Sequence, residues 1–374
     1  ENGIGNPVQH FKWPALEQFK NRVSEFIPVA RISDMLLQPG KVFSYNGKEI
    51  KYPDIKLVYW AGGNPFHHQM DLKKLSKAFK QPDTIIVNEI WWNSLARHSD
   101  IILPATTSLE RNDISVKHWD QTISPMHKVI EPVGESKSDF EIFSEIASKL
   151  NFKDKFTEGK DEDKWLRFIW DEARDKAKDE GFTLPEFDKF WKNGFKEVLS
   201  PKKQTILLED FRKDPQKNPI STPSGKIEIF SETVDSFNYQ DCPGHPTWLE
   251  QEEWLGSNLT KQYPLQLISG QPHNRLHSQL DNGSESQNYK ILGREPIKIH
   301  PQDAQTRALV DGDVVEVFNK RGKCLAGVII SNEVMKGVVF LPVGAWYDPI
   351  NDGDFCIHGN PNVLTEDIGT SSLA

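Results

Sequence analysis

The chain has 374 residues, 37% of them apolar and 26% charged, and a formal net charge of −9. That length fits two or three domains, and no apolar run reaches the ~18–20 residues that cross a bilayer, so no membrane insertion is expected. The acidic balance, with no Lys/Arg stripe, excludes nucleic acid as a partner, and three scattered cysteines (Cys242, Cys324, Cys356) without a CxxC pair argue against iron–sulfur, Cys-rich zinc and disulfide frameworks.

Residues 1–54 read as a connecting segment, with a helical pattern in "PALEQFKNRVSEF" followed by the turn-rich "QPGK" and "YNGKE". The chain opens on Glu1 with no charged-then-apolar leader, which suggests a processed protein or a piece of a longer one. Residues 55–150 alternate strand and helix patterns: strand "IKLVYW", helix "DLKKLSKAF", strand "DTIIVNEI", a helix around "NSLARHS", strand "DIILP" and helix "SDFEIFSEIASKL". Short β-rich runs alternating with helices predict an α/β region with a buried parallel sheet.

Residues 151–262 change character. Charged helical stretches give way to Pro-rich loops and to "GHPTWLEQEEWLG", a helical and loop-rich linker region whose Trp and Phe positions read as core anchors rather than a ligand cage. In residues 263–374, "YPLQLISG", "DVVEVFNKRGKCLAGVII" and "GVVFLPVGAWYD" read as strands, with one short helix at "PQDAQTRAL". That pattern predicts a compact, mainly β, barrel-like domain.

Polar residues collect at the predicted strand ends. Gly62-Gly63 closes the first strand, and the following Asn64-Pro65 holds Asn64 extended. Backbone N–H groups freed by such a turn, at the carboxyl edge of a parallel sheet, suit a phosphate; an ordinary βα turn is the alternative. The second strand ends in Asn88-Glu89, where nucleotide folds read a ribose or base edge. The third leads to Glu110 and Arg111, the latter an anion clamp or a surface ion pair. "SGQPHNRLHSQL" gathers one Arg, two His, two Gln and two Ser after a strand. His273 and His277 have zinc-helix spacing, but Asn274 replaces the Glu of a zinc protease and Pro272 opposes a helix, so a donor-rich loop for an anionic ligand fits better. With no nucleophile–base motif and no P-loop, the chain reads as the holder of a cofactor that does the chemistry, with no catalytic residue or metal ligand assigned.

Taken in order, "YWAGGNPFHHQ", "RHSDIILPATTSLERNDI", "SGQPHNRLHSQL", "DGDVVEVFNKRG", "GAWYDP" and "GNPNVLTEDIGTS" resemble the C-terminal half of the trimethylamine-N-oxide, dimethyl sulfoxide and biotin sulfoxide reductases. The resemblance implies a bis(molybdopterin guanine dinucleotide) molybdenum cofactor and oxygen-atom transfer from an N-oxide or S-oxide, with two electrons and two protons releasing water. Carried over motif by motif, it implies cofactor contacts from Asn64, His68, Asn88, Glu89, Arg111 and Asp139. In the last domain it adds Ser269, Gly270, Gln271, Pro272, Arg275, His277, Ser278, Gln279 and Asn362. Glu89 and Gln271 depart from the commoner family residues. The family fold implies that residues 263–374 form a six-stranded double-psi β-barrel, truncated at its C-terminal end, and that the family's serine ligand to molybdenum falls upstream of Glu1. A cytochrome or other redox protein as electron donor, and a periplasmic or alternatively cytoplasmic location, follow from the same resemblance. The rival expectation is a cofactor-binding module or split subunit, inactive without a separate N-terminal chain.

Overall fold

A β-branched run between two short helices makes a strand that can be covered on both faces, and the computed structural model places one at Thr84–Glu89. The structure describes residues 13–16, 20–23, 26–116, 122–194, 196–197, 206–350 and 355–373. Contacts divide the chain into two compact units: Glu1–Ser24 with Leu103–Glu228, and Glu25–Ile102 with Ile229–Ala374.

The helix expected over residues 14–26 is not found in its described part, since 13–16 and 20–23 are non-helical. Leu16 and Val23 are exposed there, and a short helix whose apolar positions are not packed is marginal.

In the second unit, β1 (Val42–Tyr45) and β2 (Lys48–Lys51) form an antiparallel hairpin across Asn46-Gly47, both at positive φ. An Asn-Gly pair is the residue choice that such a tight turn favours. Next, β3 (Leu57–Ala61) and β4 (Thr84–Glu89) pair in parallel, with Leu57 opposite Thr84 and Ala61 opposite Asn88. Their carboxyl ends therefore lie side by side. The helix Leu72–Ala78 between them buries Leu72, Leu75 and Ala78, and Asp71 caps it by accepting from Lys74 N at 3.0 Å. At β5 (Ile101–Pro104) the chain passes to the first unit, completing the order β3-β4-β5.

The first unit holds an antiparallel sheet of β6 (Asp113–Val116), β7 (Thr122–Met126) and β8 (Lys196–Glu197). Its core is built around an aromatic stack: Trp170, on the helix Glu162–Asp179, stacks on Phe190 at 3.8 Å between ring centroids, and Leu166, Ala173 and Phe187 close around the pair. These aromatics are core anchors, as expected. In the second unit Trp248 and Trp254 are not: they remain 77% and 42% exposed, because their Pro-rich surroundings form no regular element with a face to bury.

The second unit ends in a seven-stranded sheet. Its strands are β9 (Gln266–Ile268), β10 (Pro296–Ile299), β11 (Val314–Phe318), β12 (Lys323–Ile330), β13 (Val338–Phe340), β14 (Pro349–Ile350) and β15 (Phe355–Cys356). The order is β14-β15-β12-β10-β13-β9, with β11 on β12. Parallel pairs (β12 with β15, β10 with β12, β13 with β9) mix with antiparallel ones (β14 with β15, β10 with β13, β11 with β12), and the sheet curls into a half-barrel. Ile297, Ile299, Val328 and Val339 share one core with Phe66, Leu72, Leu75, Ile85 and Val87 from the parallel-sheet region. The whole is a mixed α/β fold. Among the described residues no helix is long and apolar enough to cross a membrane.

Candidate cofactor site

Gly62 and Gly63 both take φ of +79°, a conformation that only glycine adopts at little cost. A Cβ on Gly62 would meet nothing within 4 Å, whereas one on Gly63 would lie 3.7 Å from Trp60 Nε1 and 3.8 Å from His68 Nε2. The turn thus leaves open space beside the His68 ring. The helix that follows, Pro65–His68, is a single turn, too short to add a helix dipole to the freed N–H groups. Asn64 caps it, its Oδ1 accepting from Phe66 N at 3.1 Å, while its Nδ2 reaches Ser278 Oγ at 3.4 Å.

That bond ties the β3 turn to the loop after β9. Residues 273–280 of this loop are turns rather than helix, with His277 and Leu280 at positive φ. Gln271 clasps His277 twice: its Oε1 accepts from His277 N at 3.2 Å, and its Nε2 lies 2.9 Å from His277 Nδ1. Gly270 O accepts from Val343 N at 3.0 Å, and Trp346 Nε1 donates to Ser278 O at 2.8 Å. Ser269 and Gln279 are exposed and Pro272 is buried. Asn362 Nδ2 donates to His67 O at 2.8 Å, and buried Asn360 donates to Phe66 O and Ala345 O. Four chain segments far apart in sequence therefore meet around Asn64, His68, Gln271, His277, Ser278 and Asn362.

Sequence reasoning missed three participants. His67 is buried, and its Nδ1 has no hydrogen-bond partner among the described residues. Its ring lies 5.1 Å from that of His68 and 5.3 Å from that of His277, centroid to centroid. Burial above all, then His68, His277 and Arg275, lowers its pKa to about 4. Asn274 likewise leaves both amide atoms without a partner among the described residues. Glu295, fully buried, pairs with Arg275 at 2.9 Å. The "HH" pair was a visible signal, but nothing in the local pattern says which ring turns inward.

Arg275 differs from its expected role. Its side chain is 1% exposed; Nη2 donates to Val343 O at 3.0 Å and pairs with Glu295, and Nη1 stands 3.6 Å from Asp281. Asp281 in turn pairs with Lys290 at 2.8 Å and accepts from Trp346 N at 3.0 Å. Arg275 Nε and Nη1 make no hydrogen bond among the described residues, but both are buried and Nη1 faces Asp281, so the guanidinium belongs to this internal charge cluster.

At the end of β4, Asn88 is buried and its Oδ1 accepts from Tyr59 OH at 2.8 Å. Both Glu89 oxygens are engaged locally: Oε1 accepts from Ile90 N at 2.9 Å and Oε2 from Asn93 Nδ2 at 2.7 Å. Burial pushes the Glu89 carboxyl up, against the pull of those donors. The remaining two candidates belong to the first unit. Arg111 forms a half-buried ion pair with Asp113 at 3.1 Å, and Asp139 opens the helix Asp139–Lys149, whose cap is Ser138 with Glu141 as reciprocal partner. A cavity of about 750 Å³ lies elsewhere, in the lumen of the curled sheet, lined by Leu265, Leu267, Ile297, Ile299, Val315 and Val328; none of the candidate residues borders it.

A glycine turn, an amide-rich loop and a histidine cluster thus meet at the carboxyl edge of the parallel sheet. Residues 4–149 match the family model Molybdopterin oxidoreductase, and residues 265–374 match the Molydopterin dinucleotide binding domain. The chain is similar to the trimethylamine-N-oxide reductase of Haemophilus influenzae, 48% identical over 93% of this chain and 43% of that protein. It is also similar to the biotin sulfoxide reductase of Cereibacter sphaeroides, 44% identical over 99% of this chain and 50% of that protein. The dimethyl sulfoxide/trimethylamine N-oxide reductase of Rhodobacter capsulatus is 45% identical over 93% and 43%, respectively. The chain thus spans about half the length of the curated relatives it matches. Acetylene hydratase from Pelobacter acetylenicus shares the fold, with a TM-score of 0.64 at 18% identity over 83% of this chain and 41% of that one.

Proposed function

We propose that this chain is the cofactor-binding part of a molybdenum oxidoreductase that reduces N-oxides or S-oxides, with trimethylamine N-oxide or dimethyl sulfoxide as substrate. The observation that carries the reading is the meeting of the Gly62-Gly63 turn with Asn64, His68, His277, Ser278 and Asn362, in a chain similar to reductases of those oxides. The residues fit an anionic dinucleotide: open space above Gly62, the Asn274 amide without a partner among the described residues, and an unpartnered buried His67 nitrogen all call for a polar ligand.

When bound, the molybdenum pterin supplies the two-electron oxygen-atom exchange. The chain's part is to bind and orient it. Asn64 and Ser278 hold the turn and the loop together, Asn362 fixes the backbone that carries His67, and Gln271 sets the His277 ring. The bis(molybdopterin guanine dinucleotide) form, double-psi closure of the curled sheet, and cofactor contacts from Arg111 and Asp139 belong to the same proposal. So do a redox-protein electron donor such as a cytochrome, a role in anaerobic respiration, and a periplasmic location with the cytoplasm as alternative. A second reading, a cofactor-binding module or split subunit, is supported by the share of its relatives that the chain spans.

Reduced-viologen oxidation with either oxide tests the proposal. Turnover is expected when residues 1–374 act with the remaining portion of the enzyme, and none from residues 1–374 alone. Turnover by the chain alone contradicts the division of labour, and no turnover in either case contradicts the activity.

A further inference from the structure

The three histidines of the site form a triangle: ring centroids are 5.1 Å apart for His67–His68, 5.3 Å for His67–His277 and 6.3 Å for His68–His277. His67 and His68 come from the turn after β3, His277 from the loop after β9. His67 is the buried apex, 8% exposed, with Nδ1 lacking any hydrogen-bond partner among the described residues. His68 is exposed, with Nε2 3.8 Å from the Cβ position of Gly63, next to the open space at Gly62. Among the described residues no group of three or more His, Cys, Asp or Glu is arranged to hold a metal ion. A buried nitrogen without a partner, behind an exposed ring and beside an open glycine turn, is instead suited to an anion that arrives with a proton.

We propose that His67, His68 and His277 form a proton-coupled anion nest, in which the diphosphate of the dinucleotide binds together with about one proton taken up by the cluster. The inference rests on the cofactor reading above and adds its regulation: pH sets how readily the site loads.

The charged and titratable groups facing His67 are His68 on its own turn and His277 and Arg275 from the loop after β9. The Arg275 charge is balanced by Glu295 and Asp281, the latter also paired with Lys290, and the Asn362 segment contributes only an amide. No carboxylate among the described residues faces the cluster to hold a proton there. Without an anion, burial and the mutual repulsion of neighbouring cations keep His67 and His68 neutral, both shifted down from the ordinary histidine range. A dianion between them reverses the sign of that electrostatic effect and makes protonation favourable.

The test uses P1,P2-di(guanosine-5′) diphosphate, a diphosphate diester whose phosphates do not titrate between pH 5.5 and 8. It is titrated calorimetrically into the cofactor-free chain, at each pH in two buffers of different ionisation enthalpy. The expected result is uptake of about one proton per ligand and an apparent Kd that weakens roughly tenfold per pH unit toward pH 8. His67→Gln, which can accept and donate but cannot protonate, should at least halve both the uptake and the slope. The wild-type measurement stands by itself if that variant fails to fold. Binding with no proton uptake overturns the nest and leaves the cofactor reading intact. No binding at any pH also overturns the nest, and the pterin and GMP content of protein purified from cofactor-producing cells then decides the cofactor reading separately.

Discussion

Replacing Glu295 tests the most heavily buried charge among the described residues. Arg275, Asp281, Lys290 and Glu295 have side chains only 1%, 3%, 2% and 0% exposed, and together they are formally neutral. Glu295→Gln leaves Arg275 and Lys290 sharing the single Asp281 carboxylate, a net buried cation. Arg275→Met leaves the opposite imbalance. Removing one partner of a buried pair costs about 3–5 kcal/mol, mostly because the remaining charge is stranded. For a unit of about 150–250 residues that lowers the melting midpoint by about 6–20 °C. The double variant Arg275→Met/Glu295→Gln restores neutrality, so its loss should fall short of the sum of the singles by about 2 kcal/mol or more. Calorimetric or urea unfolding of the cofactor-free protein reads all three. Single variants within 1 kcal/mol of wild type, or strictly additive losses, would refute the idea that these four charges act as one unit and hold the loop that carries His277. An Arg275→Met protein of unchanged stability that loses cofactor would instead assign Arg275 to the cofactor alone.

Three further outcomes follow from the structure. The hydroxyl and N–H of Thr107, with Val133 N, hold the Glu110 carboxyl down at about 2, so its contribution is complete above the ordinary carboxylate range and is lost as pH falls from about 4.5 to about 2; acid unfolding of Glu110→Gln should lack roughly 3 kcal/mol of that dependence at most. His67, lowered to about 4 by burial, gives the cofactor-free protein stability that is present above about pH 6.5 and lost between pH 6.5 and 4; His67→Gln should flatten stability in that window, measured by urea midpoint against pH. Gly344 has φ of +103°, and an added Cβ would overlap the His277 carbonyl oxygen and lie 2.8 Å from Arg275 Nε, so Gly344→Ala should cost about 2–4 kcal/mol and displace the loop, a change that histidine NMR shifts of His277 would register.

The strands that build the sheets were legible because each is a β-branched run bounded by turn residues: Thr84–Glu89, Val314–Phe318 and Lys323–Ile330 all fall where their pattern places them. The glycine turn at Gly62-Gly63 was legible for the same local reason. What the chain order hides is long-range. Asn64 meets Ser278, His67 meets Asn362, and Gly344 packs on His277, pairs between 67 and 295 residues apart that no periodicity encodes. The fates of charged residues were equally hidden: Arg275 reads in sequence as a cofactor contact and Glu295 carries no signal, and only the fold buries them against each other. Glu89 was placed correctly at a strand end, yet local donors already engage its carboxylate, a competition that residue type alone does not reveal.

The central claim is that the dinucleotide occupies the meeting point of the Gly62-Gly63 turn and the loop carrying His277. The most direct test is an experimental structure of the protein loaded with its molybdenum pterin. The expected result is a diphosphate within about 3.5 Å of donors on Asn64, His68, His277 or Ser278, with His67 behind it. Density for the dinucleotide away from these residues, in the apolar lumen between Leu267 and Val315 for example, would contradict the claim.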